Sequence, residues 1–127
     1  MQTDLDVMVL DDESTVCERL KEFLEKSGMN VETFVDSRAA VERLSHKRFH
    51  VVVTDLKMAG PTGLDVLLAV RDQNLSTQVI IITGYRTFEA ARTAEYVGAY
   101  AFLDKPFRLE ALRDLVKKAA KRANKQA

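Results

Sequence analysis

Short apolar runs alternate along this chain with longer stretches of helical periodicity, and few folds accommodate that alternation. Val7-Met8-Val9-Leu10, Val51-Val52-Val53-Thr54, Val79-Ile80-Ile81-Ile82 and Tyr100-Ala101-Phe102-Leu103 are almost wholly apolar. Strands covered on both faces have that character, and they occur in parallel sheets whose crossover helices do the covering. The pattern places strands near 6–10, 30–35, 50–54, 78–82 and 99–103. The second, Asn30-Val31-Glu32-Thr33-Phe34-Val35, alternates and is expected at a sheet edge.

Helices fill the intervals. Val16, Leu20, Phe23 and Leu24 form the stripe of a helix near 14–27, closed by Ser27-Gly28. Asp36-Ser37 is a cap for a short helix through Ala40, Val41 and Leu44, while Leu64, Leu67, Leu68 and Val70 mark a third. A fourth, near 87–97, has only the weak stripe Phe88, Ala91 and Val97. A fifth, near 108–123, carries Leu109, Leu112 and Val116. Right-handed crossovers put helices on both faces. The expectation is an α/β fold, a doubly wound five-stranded parallel sheet. It forms a single domain over 1–127 with its core at about 5–123. The pattern itself leaves the strand order open.

Composition narrows the functional classes. A hydrophobic fraction of 46% and a charged fraction of 30% are those of a soluble globular protein. The 19 Lys and Arg balance 19 Asp and Glu, which gives no general electrostatic case for nucleic acid or an anionic membrane. Lys117, Lys118, Lys121, Arg122 and Lys125 suit the solvated end of a last helix, or a lead into a further domain. Cys17 has no second cysteine to pair with and is expected to pack on the first helix; His46 and His50 fit no zinc spacing and are expected around a surface loop. The first residues lack a signal-peptide core, and no apolar run approaches the roughly 20 residues that cross a bilayer. A cytoplasmic location without membrane contact is expected.

The apolar runs stop at polar groups suited to phosphate or metal. Asp11-Asp12, Asp55, Thr83 and Asp104-Lys105-Pro106 follow the four runs in turn. Parallel strands deliver all of these to one carboxyl edge, where open α/β sheets bind ligands. Taken singly, Asp11-Asp12-Glu13-Ser14 reads as a helix cap, and Asp55, Thr83-Gly84 and Lys105-Pro106 as ordinary turns. Taken together they read as a site. Carboxylates about 5 Å apart repel by roughly 3 kcal/mol per pair at an effective dielectric near 20, so a cation belongs among them. Mg²⁺ takes carboxylates and shares phosphate oxygens, a threonine hydroxyl donates to phosphate, and a lysine neutralises it. The parts describe phosphoryl transfer, with an aspartate able to accept the group as an acyl phosphate.

Four stretches give this reading a family. Val9-Leu10-Asp11-Asp12-Glu13, Val53-Thr54-Asp55-Leu56-Lys57-Met58, Ile82-Thr83-Gly84-Tyr85 and Phe102-Leu103-Asp104-Lys105-Pro106-Phe107 resemble, in order and spacing, the receiver domain of bacterial two-component response regulators. The similarity runs from Val7 to about Ala119. It implies a flavodoxin-like (βα)5 sheet of order 2-1-3-4-5. It implies Asp55 as phosphoacceptor and Mg²⁺ held by Asp11, Asp12, Asp55 and the backbone carbonyl of Lys57. Thr83 and Lys105 would bind the phosphoryl group, Thr83 and Phe102 would act as the switch, and Lys105-Pro106 would be cis.

The implied partners are a histidine kinase or phosphotransfer protein, and an output domain or protein on the face of the fourth helix, fifth strand and fifth helix. A homodimer and a transcriptional output are further options, and direct nucleic-acid contact by this domain is not expected. Tyr85, Tyr96, Tyr100 and Phe102 place aromatic groups near that face. Such a domain is no enzyme beyond catalysing its own phosphorylation and dephosphorylation. The sequence departs from the family in Ala59, where proline is usual, and in Thr62, where an acid is usual; Lys57 and Tyr85 flank the phosphate. Two rivals remain: an Asp-nucleophile phosphatase of the haloacid-dehalogenase type, which needs an acid where Lys57 stands, and a receiver-like module that binds without phosphorylation.

Overall fold

The computed structural model describes residues 5–58, 60–73, 76–84 and 87–126, with side chains through Asn124. Its elements are β1 (Asp6–Leu10), α1 (Ser14–Lys26), β2 (Asn30–Phe34), α2 (Ser37–Leu44), β3 (Val51–Asp55), α3 (Gly63–Gln73), β4 (Gln78–Thr83), α4 (Phe88–Val97), β5 (Ala101–Asp104) and α5 (Leu109–Gln126). All strands are parallel, in the order β2-β1-β3-β4-β5. The reversal falls between β1 and β3, so their carboxyl ends flank the crevice that such sheets use for ligands.

Register explains the two-sided core. Val7 pairs with Val51 and Val53 with Ile80, and these residues pack with Cys17, Leu20 and Leu24 of α1 and Leu112 and Val116 of α5. The alternate set, Met8, Leu10, Val52, Val79 and Ile81, packs with Ala40, Val66, Leu67, Val70 and Ala94 of α2, α3 and α4. The side chains of β3 and β4 thus meet a helix layer on either face, which is why these strands carry no alternation.

Three differences from the sequence expectation have physical causes. Asp55, Thr83 and Asp104 are the last residues of their strands rather than the first of their loops. The ladder continues through them: Leu56 N–H donates to the Ile82 carbonyl at 3.2 Å and Lys105 N–H to that of Thr83 at 2.8 Å. In α4 the expected stripe holds at Val97 but not at Phe88, which is 75% exposed; Ala90 and Ala94 face the core with Val97. That i, i+4, i+7 set is built from small residues and gives a faint pattern. Strand β3 begins at Val51 rather than 50, so His50 lies in the loop before it, as expected, but is tied to β1. Its N–H donates to the Asp6 carbonyl at 2.9 Å and its Nδ1 accepts from Asp6 N–H at 3.0 Å.

The edge strand β2 is tied down by charge. Glu32 accepts from Arg43 at 2.9 and 3.0 Å and from Lys47 at 3.0 Å. The Arg43 hydrogen bonds hold the Glu32 carboxyl at about 2, well below its ordinary 4.5. A depressed carboxylate stabilises the fold fully above its unfolded value and loses that contribution as pH falls. The Glu32 network should therefore act in full above about pH 4.5 and fade toward pH 2. Glu32→Gln should flatten this part of an acid-unfolding profile, and an unchanged profile would remove the network from the account.

Candidate functional site

Four loops leave the carboxyl edge, and the side chains at their starts converge. Asp11 directly follows β1 and is fully buried, its N–H bound to the Phe34 carbonyl at 3.1 Å. Its Oδ1 accepts from Glu13 N–H at 2.9 Å and its Oδ2 from Lys105 Nζ at 2.8 Å. Asp55 ends β3, 8% exposed, with Oδ1 accepting from Lys57 N–H at 3.3 Å and Oδ2 from Lys105 Nζ at 2.9 Å. Asp12 is exposed at the rim. Carboxylate oxygens of Asp11, Asp12 and Asp55 lie within 4.8 Å of one another.

The capping alternative for the acidic run does not describe what these groups do. Glu13 is the N-cap of α1 but makes no side-chain cap hydrogen bond, and the first turn holds no acid. Asp11 and Asp12 instead bring carboxylate oxygens to Asp55.

Lys105 is the cation of this cluster. Burial works against its charge, but the hydrogen bonds it donates to Asp11 and Asp55 outweigh that and hold its pKa above the ordinary lysine value. The ammonium attracts each carboxylate by about 6 kcal/mol at these distances and an effective dielectric near 20, whereas each carboxylate pair repels by about 3.5. One ammonium among three carboxylates leaves the crevice with net negative charge. An oxygen-only, acidic donor set open at Asp12 fits a hard divalent cation such as Mg²⁺.

The other expected residues lie on or beside β4, α4 and β5. Thr83 is fully buried at the end of β4, in register with Asp104. Phe102, paired with Ile81, is partly buried against the α2–α3–α4 layer. The Lys105-Pro106 bond is cis. Tyr100 packs partly on the α1–α5 layer and Tyr96 is 93% exposed. Tyr85 and Ala59 lie outside the described residues.

Two supports were not legible as site residues. Gly63 closes the loop after Asp55, its N–H on the Leu56 carbonyl at 2.9 Å, and a Cβ there would sit 2.4 Å from the Asp55 carbonyl oxygen. Only glycine allows that approach. Cys17 is buried as expected, and its Sγ lies 3.3 Å from the Asp11 carbonyl and 3.5 Å from that of Phe34. Burial pushes the thiol pKa up, so it stays a donor that ties α1 to the acidic loop. A cysteine on an apolar helix face carries no sequence mark of that contact.

Comparison with known proteins gives this arrangement its class. Residues 7–117 match the response regulator receiver domain family, and the chain belongs to it. It is 34% identical over 113 residues to the C4-dicarboxylate transport transcriptional regulatory protein DctD of Pseudomonas aeruginosa, covering 89% of this chain and 24% of that protein. A response regulator receiver domain protein from Clostridium thermocellum superposes with a TM-score of 0.91 at 30% identity, covering 97% of this chain and 99% of that one. The beryllofluoride-activated NtrC4 receiver domain dimer superposes with 0.87 at 30% identity, covering 93% and 98%. The chain spans 24% and 62% of the first two curated relatives it matches. It is a phosphoacceptor module of two-component signalling.

Proposed function

We propose that Asp55 accepts a phosphoryl group from the phosphohistidine of a histidine kinase or phosphotransfer protein. The observation that carries this is the Lys105 ammonium, which joins Asp11 and Asp55 across sequence separations of 94 and 50 residues. In the transfer an Asp55 oxygen forms the new O–P bond while the P–N bond breaks and its electron pair leaves with the imidazole. Lys57 N–H and Lys105 hold the two Asp55 oxygens and fix the carboxylate plane. An ammonium has three N–H groups, so Lys105 keeps one for a phosphoryl oxygen beyond its two carboxylate bonds. Asp11, Asp12, Asp55 and the Lys57 carbonyl would hold Mg²⁺, which when bound neutralises the carboxylates and phosphoryl oxygens. The chemistry is confined to the chain's own phosphorylation and dephosphorylation, so the domain signals rather than turning over a substrate.

Phosphorylation brings extra negative charge and acceptor oxygens beside Thr83. The hydroxyl moves toward them, Phe102 turns into the vacated space, and the α4–β5–α5 face shifts its population between two shapes. Exposed Phe88 and Tyr96 give that face apolar contact area for an output domain or a second copy. Likeness to an activated receiver dimer and to a transcriptional regulator supports dimerisation and a transcriptional output. A cytoplasmic setting suits these partners, and among the described residues no helix is long and apolar enough to cross a membrane.

The test is exposure to acetyl phosphate with Mg²⁺, which should add one phosphoryl group to the chain; repeated turnover of a small phosphomonoester would favour the phosphatase reading. Thr83→Ala should still be phosphorylated, yet lose most of any phosphorylation-dependent self-association measured by sedimentation. Association equal to that of the phosphorylated parent would reject this route for the signal.

A further inference from the structure

The loop between β3 and α3 leaves Asp55, passes Lys57 and returns, its ends closed by the Gly63–Leu56 hydrogen bond. Gly60 lies at its far point with φ +77°. The side chain against that point is Arg38, from the first turn of α2. A Cβ built on Gly60 would lie 3.2 Å from Arg38 Nη1, 3.5 Å from Cζ and 3.6 Å from Nη2. The guanidinium plane therefore rests on the bare backbone of Gly60. Arg38 N–H is held by the Asp36 cap at 3.0 Å, which fixes where the side chain starts. Arg38 is otherwise exposed, and Gly60 is the neighbour its guanidinium rests on.

We infer that Arg38 is a positioning residue for divalent-metal binding: by packing on Gly60 it holds the loop in the shape that presents the Lys57 carbonyl to the crevice. The inference rests on the proposed metal ligands. A loop carrying Gly60 at positive φ has several shapes open to it, and a contact that favours one of them restricts where the Lys57 carbonyl can lie. A ligand that must be ordered on binding costs affinity, and a planar side chain already seated on the loop lowers that cost. Charge alone argues the other way. Arg38 is a cation near an acidic crevice, and its removal by a purely electrostatic route would tighten Mg²⁺ binding.

The opposite signs make the experiment decisive. Mg²⁺ is titrated into the phosphate-free protein and followed by backbone amide NMR shifts of Asp11, Asp55 and Lys57, for the parent, Arg38→Ala and Arg38→Lys. Arg38→Ala should weaken Mg²⁺ binding about three- to tenfold with unchanged thermal stability. Arg38→Lys keeps the charge but not the plane, and should recover only part of the loss. Phosphorylation by acetyl phosphate should slow at low Mg²⁺ and return to the parent rate at saturation. Binding that is unchanged or tighter in Arg38→Ala overturns the inference. A parent whose crevice shifts do not respond to Mg²⁺ would instead overturn the proposed ligands, so the two failures are distinct.

Discussion

Replacing Asp55 by Asn should abolish phosphorylation while leaving the fold intact. The amide has the shape of the carboxylate, and its single oxygen can still accept from one of the two donors, Lys57 N–H or Lys105, that hold the carboxylate oxygens at 3.3 and 2.9 Å. It has no anionic oxygen to attack phosphorus. The change also removes two carboxylate–carboxylate repulsions of about 3.5 kcal/mol each, at an effective dielectric near 20, against one ion pair with Lys105. Metal-free stability should therefore stay close to that of the parent. Intact mass after acetyl phosphate and Mg²⁺, with a melting curve alongside, reads both halves. A variant that gains a phosphoryl group as the parent does would move the acceptor elsewhere.

Removing the cation has a different signature. Lys105→Met should destabilise the metal-free domain by about 3 kcal/mol, because one partner of a buried ion cluster is lost and Asp11, fully buried, keeps its charge without compensation. Exposure of Asp12 to solvent at the rim keeps the cost at the low end of such changes. Mg²⁺ binds only the folded crevice, so at about a hundred times its dissociation constant it should return up to roughly 2.7 kcal/mol. Urea unfolding with and without MgCl2 measures both terms. Parent-like stability without metal would show that Lys105 and the carboxylates do not form the cluster described.

Much of this architecture is legible because the physics is local. Val51–Val53 and Val79–Ile82 are apolar on both faces, which only a strand between two helix layers tolerates. The polar residue ending each run then shares one edge, so Asp11, Asp55 and Lys105 could be grouped before any contact was seen. The family resemblance added what periodicity lacks: the 2-1-3-4-5 order and the cis Lys105-Pro106 bond. Illegible features depend on tertiary neighbours. Ala90 and Ala94 face the core of α4 with too little apolar surface to mark it, and Phe88 next to them misleads by being large and exposed. Cys17 on the Asp11 carbonyl and Arg38 on Gly60 join segments whose approach no spacing announces.

The most direct test maps the phosphorylated residue. Borohydride reduction converts an aspartyl phosphate into homoserine, and tandem mass spectrometry then locates it after treatment with acetyl phosphate and Mg²⁺. Homoserine at position 55 and nowhere else is the expected result. Label at another residue, or an unmodified folded chain with Mg²⁺ present, would contradict the claim that this crevice is built to receive a phosphoryl group.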